Sequence, residues 1–204
     1  MVMVYCIGLT GNIASGKSTV ALLFNQLGVP IFNADSVSRQ ITLKGTKAYN
    51  KIMAHFGPSV VTKEEALDRK KIRNIIFSNP QERIWLEHLM HPIIRQQLKK
   101  EIASCTGPYC IVEIPLLKDK KGYPYINRIL VVTSPIELQV QRIITRDQCT
   151  EAQAWAIIAT QPSIEERIKN ADDILENNSG ANELKQAVKQ LHLNYLKLAK
   201  NMTN

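Results

Sequence analysis

Eight residues near the start of the chain, Gly11-Asn-Ile-Ala-Ser-Gly16-Lys17-Ser18, restrict the fold more than any other stretch. An apolar run, Val4–Leu9, precedes them, and a pattern with Val20, Leu23, Phe24 and Leu27 on one helical face follows. The order strand, glycine turn, helix is therefore written into the first 27 residues. Glycines let the backbone take positive φ and close on an anion without a clashing Cβ. Successive N–H groups then point at phosphate oxygens, and a helix starting near Lys17 adds the positive end of its dipole. The spacing is that of GxxxxGK[ST], in which the lysine reaches the β- and γ-phosphates and the hydroxyl serves Mg²⁺. Gly11, Asn12, Ile13, Ala14, Ser15, Gly16, Lys17, Ser18 and Thr19 are thus the candidate ATP-binding residues. Lys17 is also a catalytic candidate and Ser18 a metal ligand. A glycine turn that binds nothing would not require the Lys17-Ser18 pair.

Downstream, apolar runs alternate with helical patterns, which predicts an α/β fold with a mainly parallel five-stranded sheet. Strands are expected at Val29–Asn33, Tyr109–Ile114, Ile129–Thr133 and Asp173–Leu175. Gly28 is placed to stop the first helix. Ser36 to Ser104 shows no clear strand and holds more helix than one crossover needs, so it reads as an inserted helical lobe. Asn79-Pro80 breaks one of its helices, and His91-Pro92 is expected to break or kink another. Thr150-Glu-Ala-Gln153 and Ser163-Ile-Glu-Glu166 carry the capping-box pattern. A turn at Asn177–Gly180 precedes a last amphipathic helix, about Asn182–Lys200.

Three further places bear on chemistry. Asp35 ends the second strand, and ligands of open α/β sheets sit beyond the carboxyl ends of strands. It is a candidate to orient or deprotonate an attacking hydroxyl, with a helix N-cap as the alternative. Glu113 ends the third strand and is a candidate to hold Mg²⁺ through water; otherwise it is a carboxylate paired with a basic neighbour. Arg142 and Arg146 share a helical face, where two guanidiniums can neutralise a transferring phosphoryl group or simply be solvated.

The formal charge of +8 and pI near 9.4 suit an anionic partner. The basic residues are scattered in small groups, and no nucleic-acid motif accompanies them. No run reaches the roughly 18 apolar residues of a membrane span. Met1–Leu9 lacks a basic leader and reads as a strand, so a cytoplasmic protein is the expectation. The four cysteines show no CxxC spacing, which argues against a metal or disulfide role.

Taken together, the motifs resemble the dephospho-CoA kinase family over nearly the whole chain. The resemblance is carried by Ile7–Val20, Phe32-Asn-Ala-Asp35, Phe56-Gly57, Leu67-Asp-Arg69, Leu89-Met-His91-Pro92, Ile114-Pro-Leu-Leu117, Gln141-Arg142, Arg146-Asp147, Gln161, Asn170-Ala-Asp172 and Asn177, in the family order. It implies transfer of the ATP γ-phosphate to the ribose 3′-hydroxyl of dephospho-CoA, the last step of coenzyme A synthesis, with Mg²⁺. It implies a P-loop core (1–36, 105–137 and 171–204), an inserted CoA-binding domain (37–104) and a lid (138–170). Asp35 becomes the base and a substrate contact, joined by Arg69, His91 and Leu116. Arg142 becomes catalytic, and Arg142, Arg146 and Asn177 bind ATP. The expected partners are ATP and dephospho-CoA, with no nucleic acid or membrane, in a monomer or weak homo-oligomer. Asn12 and Ala14 stand where the family commonly has glycines, so Ala14 must avoid a strongly positive φ or the loop is strained. Asn33 stands in place of an aspartate, and Lys118-Asp-Lys-Lys-Gly122 replaces an apolar residue and a glutamate.

Overall fold

A computed structural model describes residues 4–178 and 180–203. Met1–Met3, Ser179 and Asn204 lie outside that set, and with Ser179 part of the expected turn at Asn177–Gly180. The chain divides into two compact units, one of residues 1–33 and 102–204 and one of residues 34–101.

The first unit is built on five strands: β1 (Tyr5–Gly11), β2 (Ile31–Asn33), β3 (Tyr109–Glu113), β4 (Arg128–Thr133) and β5 (Asp173–Glu176). Their order is β2-β3-β1-β4-β5, and every pairing is parallel. β3 is buried along its whole length and β1 almost so, as expected of central strands covered on both faces. Helices α1 (Lys17–Gln26) and α9 (Ala181–Thr203) contribute Val20, Phe24, Leu184, Val188 and Tyr195 to a core with Ile7, Leu9, Ile111, Leu130 and Val132. Helices α6 (Ile136–Asp147), α7 (Glu151–Ala159) and α8 (Ile164–Ile168) complete this unit, with Val140, Ile143 and Ala154 forming a smaller cluster.

Local signals explain many of the boundaries. Gly28 has φ 80°, its N–H bonds to Asn25 O and the Val29 N–H to Phe24 O, a Schellman ending for α1. Thr150 makes the full reciprocal capping box with Gln153, whereas Ser163 accepts from the Glu166 N–H without the return bond.

The second unit is helical: α2 (Ala34–Ile41), α3 (Lys47–Phe56), α4 (Arg69–Ser78) and most of α5 (Pro80–Ala103), with a 3₁₀ turn at Pro58–Val60. Ala48, Ile52, Val60, Ile72 and Met90 form its core. The break at Asn79-Pro80 occurs where expected, between α4 and α5. Of the break or kink expected at His91-Pro92, the break does not occur: α5 runs through Pro92. An internal proline costs a helix about 3 kcal/mol or more. Here Met90, Leu89, Ile93 and Ile94, on both sides of it, bury against the lobe's core and hold the helix together.

Candidate active site

The loop between β1 and α1 is shaped by three left-handed or near-left-handed positions, Gly11 (φ 155°), Ala14 (φ 56°) and Gly16 (φ 98°). A Cβ on Gly11 would stand 2.3 Å from the Val132 carbonyl oxygen, and one on Gly16 would stand 2.1 Å from Asn177 Nδ2. Glycine is required at both. Of the two outcomes expected for Ala14, the structure takes the strained one: it adopts the left-handed region, at about 1–2 kcal/mol for a residue with a Cβ. Its methyl group and the Ile13 side chain pack against the Val140, Ile143 and Ala154 cluster, which offsets that cost.

Lys17 Nζ donates to the carbonyls of Gly11 (3.0 Å) and Asn12 (2.8 Å), so its ammonium lies over the loop. The Ser15 hydroxyl is fully buried without a hydrogen-bond partner, and Asn12 Oδ1 is likewise unpartnered. An unpaired buried hydroxyl is costly, and a phosphate oxygen is an acceptor it could serve. Ser18 and Thr19 occupy the exposed first turn of α1.

Ser18 and Glu113, distant in sequence, come together: Ser18 Oγ donates to Glu113 Oε1 at 3.4 Å. Asn33 Nδ2 donates to Glu113 Oε2 at 2.7 Å, which explains what an amide does in that position. It orients a buried carboxylate that a second carboxylate would repel. The Asn33–Glu113 register in the β2–β3 pairing sets this up. Hydroxyl and carboxylate oxygens are the hard donors Mg²⁺ takes, so the set fits that ion.

Arg142 and Asn177 hold the loop from behind. Arg142 Nη1 donates to Ala14 O and Ser134 Oγ, each at 3.1 Å, and Nη2 to Asn177 O at 3.3 Å. Asn177 Nδ2 donates to Ser15 O at 2.8 Å. Residues 138–170, expected to form a lid, fall within the same compact unit as the sheet. Arg146 lies apart from the loop contacts, its guanidinium forked on the Asp147 carboxylate at 2.7 and 2.8 Å and its pKa raised by that bond. The two arginines share one open concavity with Leu138, Gln141 and Thr145. Leu116 is 67% exposed just past β3. In the Lys118–Lys121 stretch, Lys120 pairs with Asp172 at 2.8 Å and donates to Asn127 O, so this lysine fastens the sheet's edge.

In the helical unit, Asp35, Arg69 and His91 line one cavity of about 500 Å³. Asp35 lies within α2, which begins at Ala34, so it is not the cap of a helix starting at Ser36. Arg69 Nη2 donates to Thr42 Oγ1 at 2.8 Å. The cavity also holds Arg39 and Arg73, which sequence reasoning missed; the charge cluster Lys70, Lys71 and Arg73 was the available signal.

The dephospho-CoA kinase family profile matches residues 5–183. The chain belongs to that family. A dephospho-CoA kinase of Legionella pneumophila (strain Paris) is 54% identical over 97% of this chain and 98% of its own length. One from Coxiella burnetii is 44% identical over 95% and 98%. A dephospho-CoA kinase structure from Campylobacter jejuni superposes with TM-score 0.71 at 29% identity, covering 94% of this chain and 97% of that one. A Thermus thermophilus crystal structure gives 0.80 at 30% identity with the same coverage. A shikimate kinase of Acinetobacter baumannii shares the fold, with TM-score 0.54 at 17% identity. The chain is therefore a P-loop kinase that uses ATP, with a wholly parallel sheet.

Proposed function

We propose that the chain transfers the γ-phosphate of ATP to the ribose 3′-hydroxyl of dephospho-CoA, giving CoA and ADP. Membership of the dephospho-CoA kinase family carries this reading. The loop geometry supports it: oriented amides, the Lys17 ammonium and an unpartnered Ser15 hydroxyl form a place for a triphosphate.

In this reading Lys17 neutralises charge building on the transferring group, which in phosphoryl transfer is most of the catalysis. Asp35 accepts the proton of the attacking hydroxyl. Arg69 and His91 bind the acceptor in the cavity they line, with Arg39 and Arg73 supplying further positive charge. Leu116 offers apolar surface to the same substrate. Arg142 and Asn177 keep the loop in its binding shape, Arg142 through its main-chain contacts. Residues 138–170 act as the lid that excludes water, with Arg146 released from Asp147 to meet ATP. Mg²⁺ is the second cofactor, and Ser18 and Glu113 are the residues that would hold it. When bound, the ion neutralises the β- and γ-phosphate oxygens.

An ADP-release assay with a panel of acceptors tests the reading. Turnover with dephospho-CoA and none with AMP, CMP or shikimate is expected. Turnover with shikimate and none with dephospho-CoA would overturn it. The cellular setting in this reading is the cytoplasm. Among the described residues no helix is long and apolar enough to cross a membrane.

A further inference from the structure

Arg167, on α8, is 5% exposed, yet among the described residues no carboxylate pairs with it. Its two hydrogen bonds both leave Nη1, one to Thr10 Oγ1 (3.1 Å) and one to the Pro115 carbonyl (3.0 Å). Thr10 in turn donates to the same carbonyl at 3.1 Å. These partners are neutral, and burial lowers the guanidinium's pKa from its usual value. Nε is buried with no hydrogen-bond partner among the described residues. Nη2 makes no hydrogen bond among the described residues, and Arg167 lines a cavity of about 330 Å³ with Leu116, Lys118, Pro162, Lys169 and Asn170. A buried cation held only by neutral groups is expensive. What it leaves unused is its Nε–Nη2 edge, the two-donor fork that matches phosphate oxygens.

The position is informative. Thr10 is the residue before Gly11 of the phosphate loop, and Pro115 and Leu116 follow the carboxyl end of β3. Asn12 Nδ2 reaches Pro162 O at 3.5 Å, so the segment carrying Arg167 adjoins the loop itself. Lys118 and Lys169 add positive charge around the cavity, against the acidic Asp119 and Glu166.

We propose that Arg167 is a phosphate-binding residue of the active site, its Nε–Nη2 edge gripping a phosphoryl group of one of the two phosphate-bearing substrates in the cavity beside Leu116. The identity of those substrates rests on the function proposed above; the phosphate chemistry does not.

Arg167→Lys separates binding from scaffolding. A lysine retains charge and can reach Thr10 or Pro115, but it has no fork. It should leave the melting temperature close to that of the parent and raise KM about 10-fold or more, the loss of a charge-assisted hydrogen bond. A rise in KM for ATP assigns the fork to the nucleotide, and a rise for the acceptor assigns it there. Unchanged KM for both overturns the proposal. A second measurement is independent of turnover: inorganic diphosphate should still raise the melting temperature of Lys17→Ala, and Lys17→Ala/Arg167→Lys should lose that shift. Equal shifts in the two variants, or none in either, also overturn it. If the parent turns over no dephospho-CoA yet the shift behaves as expected, the reaction was misread and the phosphate site stands.

Discussion

The two compact units treat polar groups in opposite ways. The sheet-bearing unit buries them: Thr10, Ser15, Glu113, Gln139, Arg167 and Asn177 are all under 9% exposed, whereas the helical unit buries only Thr42 among the described residues. In the first, several of them are fixed by contacts from distant segments, as Asn177 is by Ser15 and Glu113 by Asn33. In the second, Asp35, Arg69, Arg73 and His91 are exposed helix residues around a cavity. Buried polar groups are rigid because leaving them unpaired is costly. Exposed ones can adjust to a ligand. The sheet-bearing unit therefore presents fixed polar groups and the helical unit adjustable ones.

Substitutions in the two units should consequently fail differently. Lys17→Ala should have the largest effect, lowering kcat/KM by about 10³-fold through loss of transition-state charge compensation. ADP-release kinetics measure it, and near-normal turnover would remove the loop from the mechanism. Asp35→Asn should lower kcat by about 10²–10⁴-fold, the range for a general base, with little change in KM for ATP. Equal loss of both would make Asp35 a structural residue and break the contrast between units. Asn177→Ala strips a buried donor from the Ser15 carbonyl and should cost about 1–3 kcal/mol of stability. Denaturant unfolding reads that cost, and ATP affinity should fall with it, because stability and binding share one scaffold there. Arg73→Ala should be mildest, raising acceptor KM about 10-fold while leaving the unfolding midpoint in place. A shifted midpoint with unchanged KM would show that the helical cavity is as rigidly determined as the loop.

Local chemistry made much of this legible beforehand. The phosphate loop, the Gly28 stop, the Thr150 box and the Asn79-Pro80 break each depend on neighbours within a few residues. Packing decided the places where a local rule left two outcomes. Pro92 sits inside α5 because apolar residues around it bury in the lobe's core, and Ala14 takes positive φ because its methyl group has somewhere to go. Arg167 escaped notice for another reason. Its partners, Thr10 and Pro115, are 157 and 52 residues away, and nothing in the stretch around it distinguishes a buried guanidinium from a solvated one. Asn33 looked like a missing carboxylate until its β-register with Glu113 gave it a donor's task.

The left-handed alanine has a mechanical consequence. A glycine at that point would let the turn flex on its own. Because the Ala14 methyl group is lodged among side chains of α6 and α7 while its carbonyl is held by Arg142, any tilt of that helix pair must drag the turn along. Motion of the helices and the shape of the turn are thereby geared to each other through one side chain three hydrogens in size.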